Sequence, residues 1–200
     1  GIPIIRPLQT DLASNEILSI SGILNGTTNF ILTKMKNEGT DFSQALKLAQ
    51  EKGYAEADPT ADVEGIDAAR KIAILAALSF GILLDPNKIP TEGITGITAE
   101  HTATADALGC TVKLVGHTER INGKAFAAVS PYLVPVSNPI NHVDDVFNGI
   151  LVDANMLGRA LFYGAGAGKL PTASAVVADI IDILSHKAEE RILPKWKIAE

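Results

Sequence analysis

The sequence predicts a mixed α and β fold in which helices pack on a sheet. Three observations support this class. Apolar periodicities indicate one strand, then helices, then mostly strands, then a final helix. The dipeptide Asn122-Gly123 between two apolar runs is a strong hairpin signal. The 200 residues are 46% hydrophobic, which suits one globular domain or one large part of a bigger protein.

The first strand is predicted from SNEILSISGILNGTTNFILTKM. Residues 17–22 of this segment alternate between two faces, as the residues of a strand do. Asn25-Gly26 then predicts a turn. Thr27 or Thr28 can cap the following helix, which we expect to run to about residue 37.

Two further helices are predicted before residue 81. Asp41 is a suitable N-cap with Gln44 three residues later, and Gly53 ends that helix. A helix is excluded at Asp58-Pro59, because the residue before a proline avoids the α region. We expect one long helix at about 64–80, with acidic residues in its first turn, where the helix dipole favours them.

The second half of the chain is predicted to be mostly strand. Turn signals and apolar runs divide it into a helix, two hairpins and a last amphipathic helix that Pro171 opens at a first helical position. The elements are a helix from Thr98 to Gly109, strands at 111–119 and 124–134, two strands within 145–168 joined by a turn at 153–158, and a helix at 171–192.

Composition excludes several classes of protein. A net charge of −6 argues against a nucleic-acid surface. The single cysteine, Cys110, cannot form an internal disulfide, so we expect a cytoplasmic protein with Cys110 as a small core residue. The apolar run 72–84 is too short to span a bilayer. The start GIPIIRPLQTD has neither an initiator Met nor a charged leader, which suggests that the chain has been cut from a longer one.

The charged run GYAEADPTADVEGIDAARK, residues 53–71, is the first candidate site. Asp67 and Lys71 are four residues apart and share one helix face, which by itself predicts only a solvated salt bridge. Two details favour a functional role: apolar residues follow Lys71 at once, and the Asp58-Pro59 turn brings Glu56 and Asp62 towards the helix start. Lys71 would then be a proton donor. A calcium loop is excluded, because Val63 and Ala69 stand where its glycine and last acid belong.

Two loops that lead into helices are further candidates. YGAGAGKLPTASAV, residues 163–176, matches neither a Walker A loop nor a dinucleotide fingerprint. Its bare backbone N–H groups can approach an anion or cofactor, although a tight strand-to-helix turn explains it equally well. In NGTTN, residues 25–29, Thr27 and the N–H groups can hold a substrate carboxylate, although an ordinary Thr cap is the simpler interpretation. The four histidines show no spacing typical of metal ligands.

Three segments together resemble the homoserine dehydrogenase family, in order and in spacing. They are GILNGTTNFILTKM, AQEKGYAEADPTADVEGIDAARKIAILA and LFYGAGAGKLPTASAVVADI, and the resemblance covers essentially all 200 residues. It implies a sheet with helices on one face and a second subunit on the other, hence a homodimer. It also implies reduction of aspartate 4-semialdehyde to homoserine with NADPH or NADH, in threonine and methionine biosynthesis.

The resemblance also implies residue roles. Lys71 matches the catalytic lysine that protonates the carbonyl oxygen, and Asp67 matches the acid one helical turn before it. Glu56, counted with the catalytic residues, holds the ammonium group of the substrate together with Asp62. The remaining implied contacts are Thr27 with the substrate, the Gly168 backbone with the cofactor, and the Ile2 backbone carbonyl with a structural sodium ion.

One part of the family pattern is missing. Members begin with a dinucleotide-binding domain that carries the cofactor fingerprint and a second active-site lysine, and neither is present here. We therefore expect residues 1–200 to form the catalytic and dimerisation domain, inactive by itself. The alternative is a non-catalytic dimerisation or amino-acid-binding module, which would not need Glu56, Asp62, Asp67 and Lys71 together.

Overall fold

The structure, a computed structural model, describes residues 1–186 and 196–198. The α-helices of this part are α1 (Ile5–Gln9), α2 (Gly26–Glu38), α3 (Phe42–Glu51), α4 (Thr60–Val63), α5 (Ile66–Phe80), α6 (Ala99–Ala107) and α7 (Lys169–Ser185). The strands are β1 (Ile17–Ile23), β2 (Ile82–Leu83), β3 (Cys110–Ile121), β4 (Lys124–Pro135), β5 (Phe147–Ala154), β6 (Gly158–Ala165) and β7 (Lys197–Ile198). Short 3-10 helices lie at Pro86–Lys88 and Pro139–His142.

Five strands form one sheet in the order β4-β3-β1-β5-β6, and all neighbours are antiparallel. The short strands β2 and β7 pair in parallel. The predicted α+β class with a mixed, largely antiparallel sheet is therefore confirmed. The predicted hairpin joins β3 to β4. Asn122 and Gly123 have φ values of 50° and 80°, the positive values that a type I′ turn requires.

Helices cover one face of the sheet and enclose the main core. Helix α5 packs on β1, β3 and β4, and its Ile72 is fully buried together with Ile20 of the sheet. A Cβ at Gly116 would lie 3.3 Å from the Ile72 Cβ, so this glycine allows α5 to approach β3 closely. The packing fixes the helix that carries Asp67 and Lys71 in its first two turns.

The opposite face of the sheet is only partly covered. A second cluster of buried residues lies on it, next to the 3-10 helix Pro139–His142: Ile23, Val115, Val134, Ile140, Val143 and Leu151. Elsewhere on this face Phe126, Leu161 and Tyr163 are exposed by 45%, 38% and 53%. The use of this face for dimerisation stays a prediction.

Two local predictions were wrong in detail, and one helix begins two residues later than its approximate predicted start. The N-cap of α2 is Asn25 and not Thr27 or Thr28, because the Asn25 side chain accepts a hydrogen bond from the Thr28 N–H at 2.9 Å. The long helix begins at Ile66, since Gly65, with φ 78°, separates it from the short helix α4. Cys110 lies at the edge of the core and is only partly buried.

Helix α7 also differs from its prediction. It begins at Lys169, so Pro171 is its third residue and not its first, and residues 187–192 of the prediction lie outside the described part. No residue of α7 is buried. The predicted amphipathic helix therefore keeps its apolar side uncovered by the residues that the structure describes. It is held by Arg6, whose Nη2 lies 3.0 Å from Asp179 Oδ1.

Lys113 on β3 is fully buried, which the sequence analysis did not predict. Its Nζ donates hydrogen bonds to the Val143 carbonyl at 2.6 Å, to Asp144 Oδ1 at 2.8 Å and to Asn29 Oδ1 at 3.2 Å. Asn29 in turn donates to the carbonyl oxygens of Val143, Asp145 and Phe147. This network ties the segment 143–147 to helix α2.

Burial lowers the pKa of Lys113 from its ordinary value of 10.5, against the opposing effect of the hydrogen bond to Asp144. The folded state therefore holds this proton less tightly than the unfolded state does. We expect the free energy of unfolding of the wild type, relative to a Lys113→Met variant, to rise as the pH increases towards 10.5. Urea unfolding at a series of pH values measures it, with Lys47→Met at an exposed position of α3 as the control. If the difference in free energy of unfolding between wild type and Lys113→Met stays constant or falls as the pH rises, the lowered pKa of Lys113 is contradicted.

Candidate active site

Lys71 and Asp67 form an ion pair at the start of α5. The Lys71 Nζ lies 2.6 Å from Asp67 Oδ2 and donates a hydrogen bond to the Leu24 carbonyl at 2.9 Å. The Lys71 side chain is 48% exposed and that of Asp67 is 30% exposed. The ammonium group is therefore held between a carboxylate and the end of β1, with one side still open.

Asn25 connects this pair to Asp62. The buried Asn25 side chain donates from Nδ2 to Asp62 Oδ1 at 2.7 Å and to Asp67 Oδ2 at 3.1 Å. Its Oδ1 caps α2 at the same time. The amide therefore holds two carboxylates close together, although their like charges repel. Sequence reasoning interpreted Asn25 as a turn residue; the preference of Asn for N-cap positions was the available signal.

Thr27 and Tyr54 form another part of the same wall. The Thr27 hydroxyl donates to the Tyr54 carbonyl at 2.7 Å, and the Tyr54 ring packs edge-on against Phe30 at 5.0 Å. The hydroxyl oxygen of Thr27 keeps acceptor capacity for a ligand. Helix α2 and the loop after α3 are thereby joined beside the acids.

These side chains line one open cavity of about 550 Å³. Its polar side chains are Asn25, Thr27, Lys52, Tyr54, Asp62, Asp67, Lys71 and Asn148. A smaller cavity of about 180 Å³ adjoins it, with apolar side chains from Ile2, Ile4, Ile5, Leu24, Ile74, Leu75 and Ile150. Lys71, Asn148 and Gly166 line both cavities. The lysine therefore lies where a polar chamber meets an apolar one.

Two predicted site residues are not in the polar cavity. Glu56 is exposed in the loop after α3 and is not among the lining residues; its carbonyl accepts a hydrogen bond from Gln50 Nε2 at 3.1 Å. Ile2 lines the apolar cavity, and its carbonyl accepts from the Ile4 N–H at 2.9 Å. Within residues 1–186 and 196–198, no group of three or more His, Cys, Asp or Glu side chains is arranged to hold a metal ion.

The glycine loop before α7 lies over the boundary between the two cavities. A Cβ at Gly166 would lie 2.3 Å from Asn148 Oδ1, so this position has no room for a side chain. Gly168 has a φ of 119°, a backbone conformation that residues other than glycine rarely adopt. Gly166, Ala167 and Gly168 all line the polar cavity. The loop therefore offers backbone N–H and C=O groups to a ligand at the boundary between the two cavities.

The fold and the site together define a class of protein. It is an α+β domain that presents a lysine–carboxylate pair beside an acid-lined cavity, suited to acid–base chemistry on a small molecule that carries an amine. A family model described as homoserine dehydrogenase matches residues 3–181. The chain belongs to the homoserine dehydrogenase family, and the resemblance found in the sequence is confirmed.

Individual relatives agree with this assignment. The chain is 50% identical over 188 residues to a homoserine dehydrogenase from Synechocystis, covering 92% of this chain and 43% of the relative. The chain is 46% identical over 186 residues to a homoserine dehydrogenase from Bacillus subtilis, covering 93% of this chain and 43% of the relative. The chain thus spans less than half the length of these curated relatives.

Solved structures give the same result. A homoserine dehydrogenase from Thiobacillus denitrificans superposes with a TM-score of 0.92 at 45% identity, covering 98% of this chain and 46% of that one. A hyperthermophilic archaeal homoserine dehydrogenase in complex with NADPH superposes with a TM-score of 0.78 at 33% identity, covering 94% and 54%. Among the described residues, no helix is both long enough and apolar enough to cross a membrane.

Proposed function

We propose that this chain is the substrate-binding and catalytic segment of a homoserine dehydrogenase that interconverts aspartate 4-semialdehyde and homoserine. One observation carries the proposal: the Lys71 ammonium, held by Asp67 and the Leu24 carbonyl, lies at the junction of an acid-lined cavity and an apolar cavity. The substrate would occupy the first cavity and the nicotinamide ring the second. The reacting carbonyl would then lie at the lysine.

The proposed role of each site residue follows from its charge. Asp62 holds the ammonium group of the amino-acid substrate, and Glu56 on the loop after α3 shares this role. Thr27 contacts the substrate from the start of α2. Reduction of the aldehyde places negative charge on its oxygen, where the Lys71 Nζ stabilises the charge and donates the proton. Asp67 keeps the lysine in position for this transfer.

The cofactor of the proposed enzyme is NADPH or NADH, which when bound supplies the hydride. Gly168 and its neighbours in the glycine loop would contact the nicotinamide end. The dinucleotide-binding domain that holds the rest of the cofactor would lie outside these 200 residues. The uncovered apolar residues of α7 support a further domain packed on this segment. A structural sodium ion at the Ile2 backbone carbonyl stays a prediction.

The remaining parts of the proposal concern assembly and place in the cell. Residues 1–200 would form one catalytic and dimerisation domain of a cytoplasmic homodimer that serves threonine and methionine biosynthesis. The exposed Phe126, Leu161 and Tyr163 on the open sheet face support the pairing of two subunits through that face. No nucleic acid or membrane is expected as a partner.

The proposal is tested with the complete enzyme that contains this segment. Purified enzyme should form NADPH or NADH from the oxidised cofactor only when homoserine is present, as followed by absorbance of the reduced cofactor. Homoserine binding without any turnover would instead favour a non-catalytic amino-acid-binding module.

A substitution at Asn25 separates its two tasks. Asn25→Ser keeps a side-chain oxygen for the cap of α2 but removes the amide that bridges Asp62 and Asp67. We expect the KM for homoserine to rise about tenfold, because Asp62 and Asp67 are no longer held together beside the substrate. The free energy of unfolding should fall by about 1–3 kcal/mol, because a buried side chain loses two hydrogen bonds while the cap of α2 is kept. Steady-state kinetics and urea unfolding measure both. Asn138→Ser, the same change at the cap of Pro139–His142, is the matched control. An unchanged KM would remove Asn25 from the substrate site.

A further inference from the structure

Asn148 on β5 is a largely buried polar side chain that has no hydrogen-bond partner among the described residues. It is 7% exposed, and its carboxamide makes no hydrogen bond to any of the described residues. The small exposed part of Asn148 opens to the two cavities that meet at Lys71. The group is therefore directed at whatever occupies that junction.

The surroundings of Asn148 hold it in this position. Asn29 Nδ2 donates a hydrogen bond at 3.1 Å to the carbonyl of Phe147, the residue before Asn148, as part of the network around Lys113. Asn148 pairs with Gly164 across the hairpin, and the absence of a side chain at Gly166 leaves room for the carboxamide. Both the β5 backbone and the glycine loop thus favour one fixed placement of the amide at the cavity wall.

The chemistry of the junction narrows the choice of ligand. The carboxylates of Asp62 and Asp67 complement the positive charge of an ammonium group. The Lys71 ammonium complements the negative charge of a developing oxyanion. A neutral carboxamide has both a donor and an acceptor, and it best complements another neutral group of the same kind. On the apolar side of the junction, such a group is the carboxamide of a nicotinamide ring.

We propose that Asn148 binds the nicotinamide carboxamide of the cofactor through paired hydrogen bonds and so sets the rotation of the ring. This inference rests on the proposed function. The carboxamide is attached next to the ring carbon that carries the hydride, so a fixed carboxamide directs that carbon towards the substrate beside Lys71. Asn148 is then a cofactor-binding residue, placed at the end of the chamber where the ring meets the substrate.

Cofactor binding by the complete enzyme tests the proposal. Asn148→Leu keeps the approximate size of the side chain and removes its hydrogen bonds. We expect the Kd for reduced cofactor, measured by nicotinamide fluorescence, to rise about tenfold, the equivalent of two modest hydrogen bonds. An analogue with a 3-acetyl group in place of the carboxamide keeps the acceptor oxygen and loses only the N–H donor, so it should bind the wild type about threefold more weakly, the equivalent of one modest hydrogen bond. The two losses should not add, because they concern the same pair of groups.

Controls separate folding from binding. Asn141→Leu removes another buried asparagine, one that donates to the Val134 carbonyl at 2.6 Å away from both cavities, and should leave the cofactor Kd unchanged. If Asn148→Leu does not fold, as judged by urea unfolding, Asn148→Ala takes its place. Additive losses, or a changed homoserine KM with an unchanged cofactor Kd, overturn the assignment. A wild type that binds cofactor but does not oxidise homoserine overturns only the proposed function.

Discussion

Lys71→Ala in the complete enzyme is expected to lower kcat/KM for homoserine by about three orders of magnitude, the usual size of a lost general acid–base group. The variant loses both the proton donor and the charge that stabilises the developing oxyanion. Stability should change little, because the lysine side chain is 48% exposed and its ion pair lies at the protein surface. Steady-state kinetics and urea unfolding of the same preparations measure the two effects.

Arg70→Ala is the matched control for this substitution. Arg70 is the neighbouring cation on α5, is exposed, and does not line either cavity. Its removal changes the net charge equally but should leave kcat/KM near the wild-type value. Lys71→Arg adds a second comparison, because a guanidinium keeps the charge yet does not give up its proton. Turnover like that of the wild type in Lys71→Ala would exclude the proposed role.

The isolated 200-residue chain is expected to show no oxidation of homoserine with either NAD or NADP. Among the described residues, the parts of the site proposed for the cofactor are a glycine loop and a cavity of about 180 Å³, whereas a dinucleotide is held mainly along its pyrophosphate and ribose by a domain of its own. Cofactor-reduction assays of the purified chain, with the complete enzyme as the reference, measure this loss.

The fold of the isolated chain is checked separately. Circular dichroism and amide NMR spectra establish whether the chain is folded under assay conditions, so that inactivity is not confused with unfolding. Measurable homoserine oxidation by the pure chain would show that residues 1–200 hold a sufficient cofactor site. The proposal that a separate domain holds most of the cofactor while this segment binds the substrate would then be wrong.

Much of the site was predictable because its parts are close in sequence. Asp67 and Lys71 were paired from their spacing of four residues, and the structure places their charged atoms 2.6 Å apart. The Asp58-Pro59 turn correctly indicated that Asp62 returns towards the start of α5. Glu56 belongs to the same run, yet it is exposed outside the cavity lining, because local spacing does not determine which way a loop residue points.

The residues that were missed act over long separations. Asn25 is 37 and 42 residues away from the two aspartates that it binds, and Lys113 is 84 residues away from Asn29. Neither contact leaves a periodic or spacing signal. Asn148 was missed for the opposite reason: its importance lies in having no partner, which only a complete set of contacts reveals.

The sequence by itself determined the hairpin at Asn122-Gly123, the caps at Asp41 and Thr98, and the face that Asp67 shares with Lys71. Each of these depends on interactions among residues within one turn of each other, which composition and order specify directly. The tertiary structure alone decided that the end of β1 meets α5 and that β5 brings Asn148 to the same place. The reason is the strand order β4-β3-β1-β5-β6, which sets neighbours through hydrogen bonds between distant segments. The charged run of residues 53–71 becomes a candidate active site only because that order places two cavities on either side of Lys71.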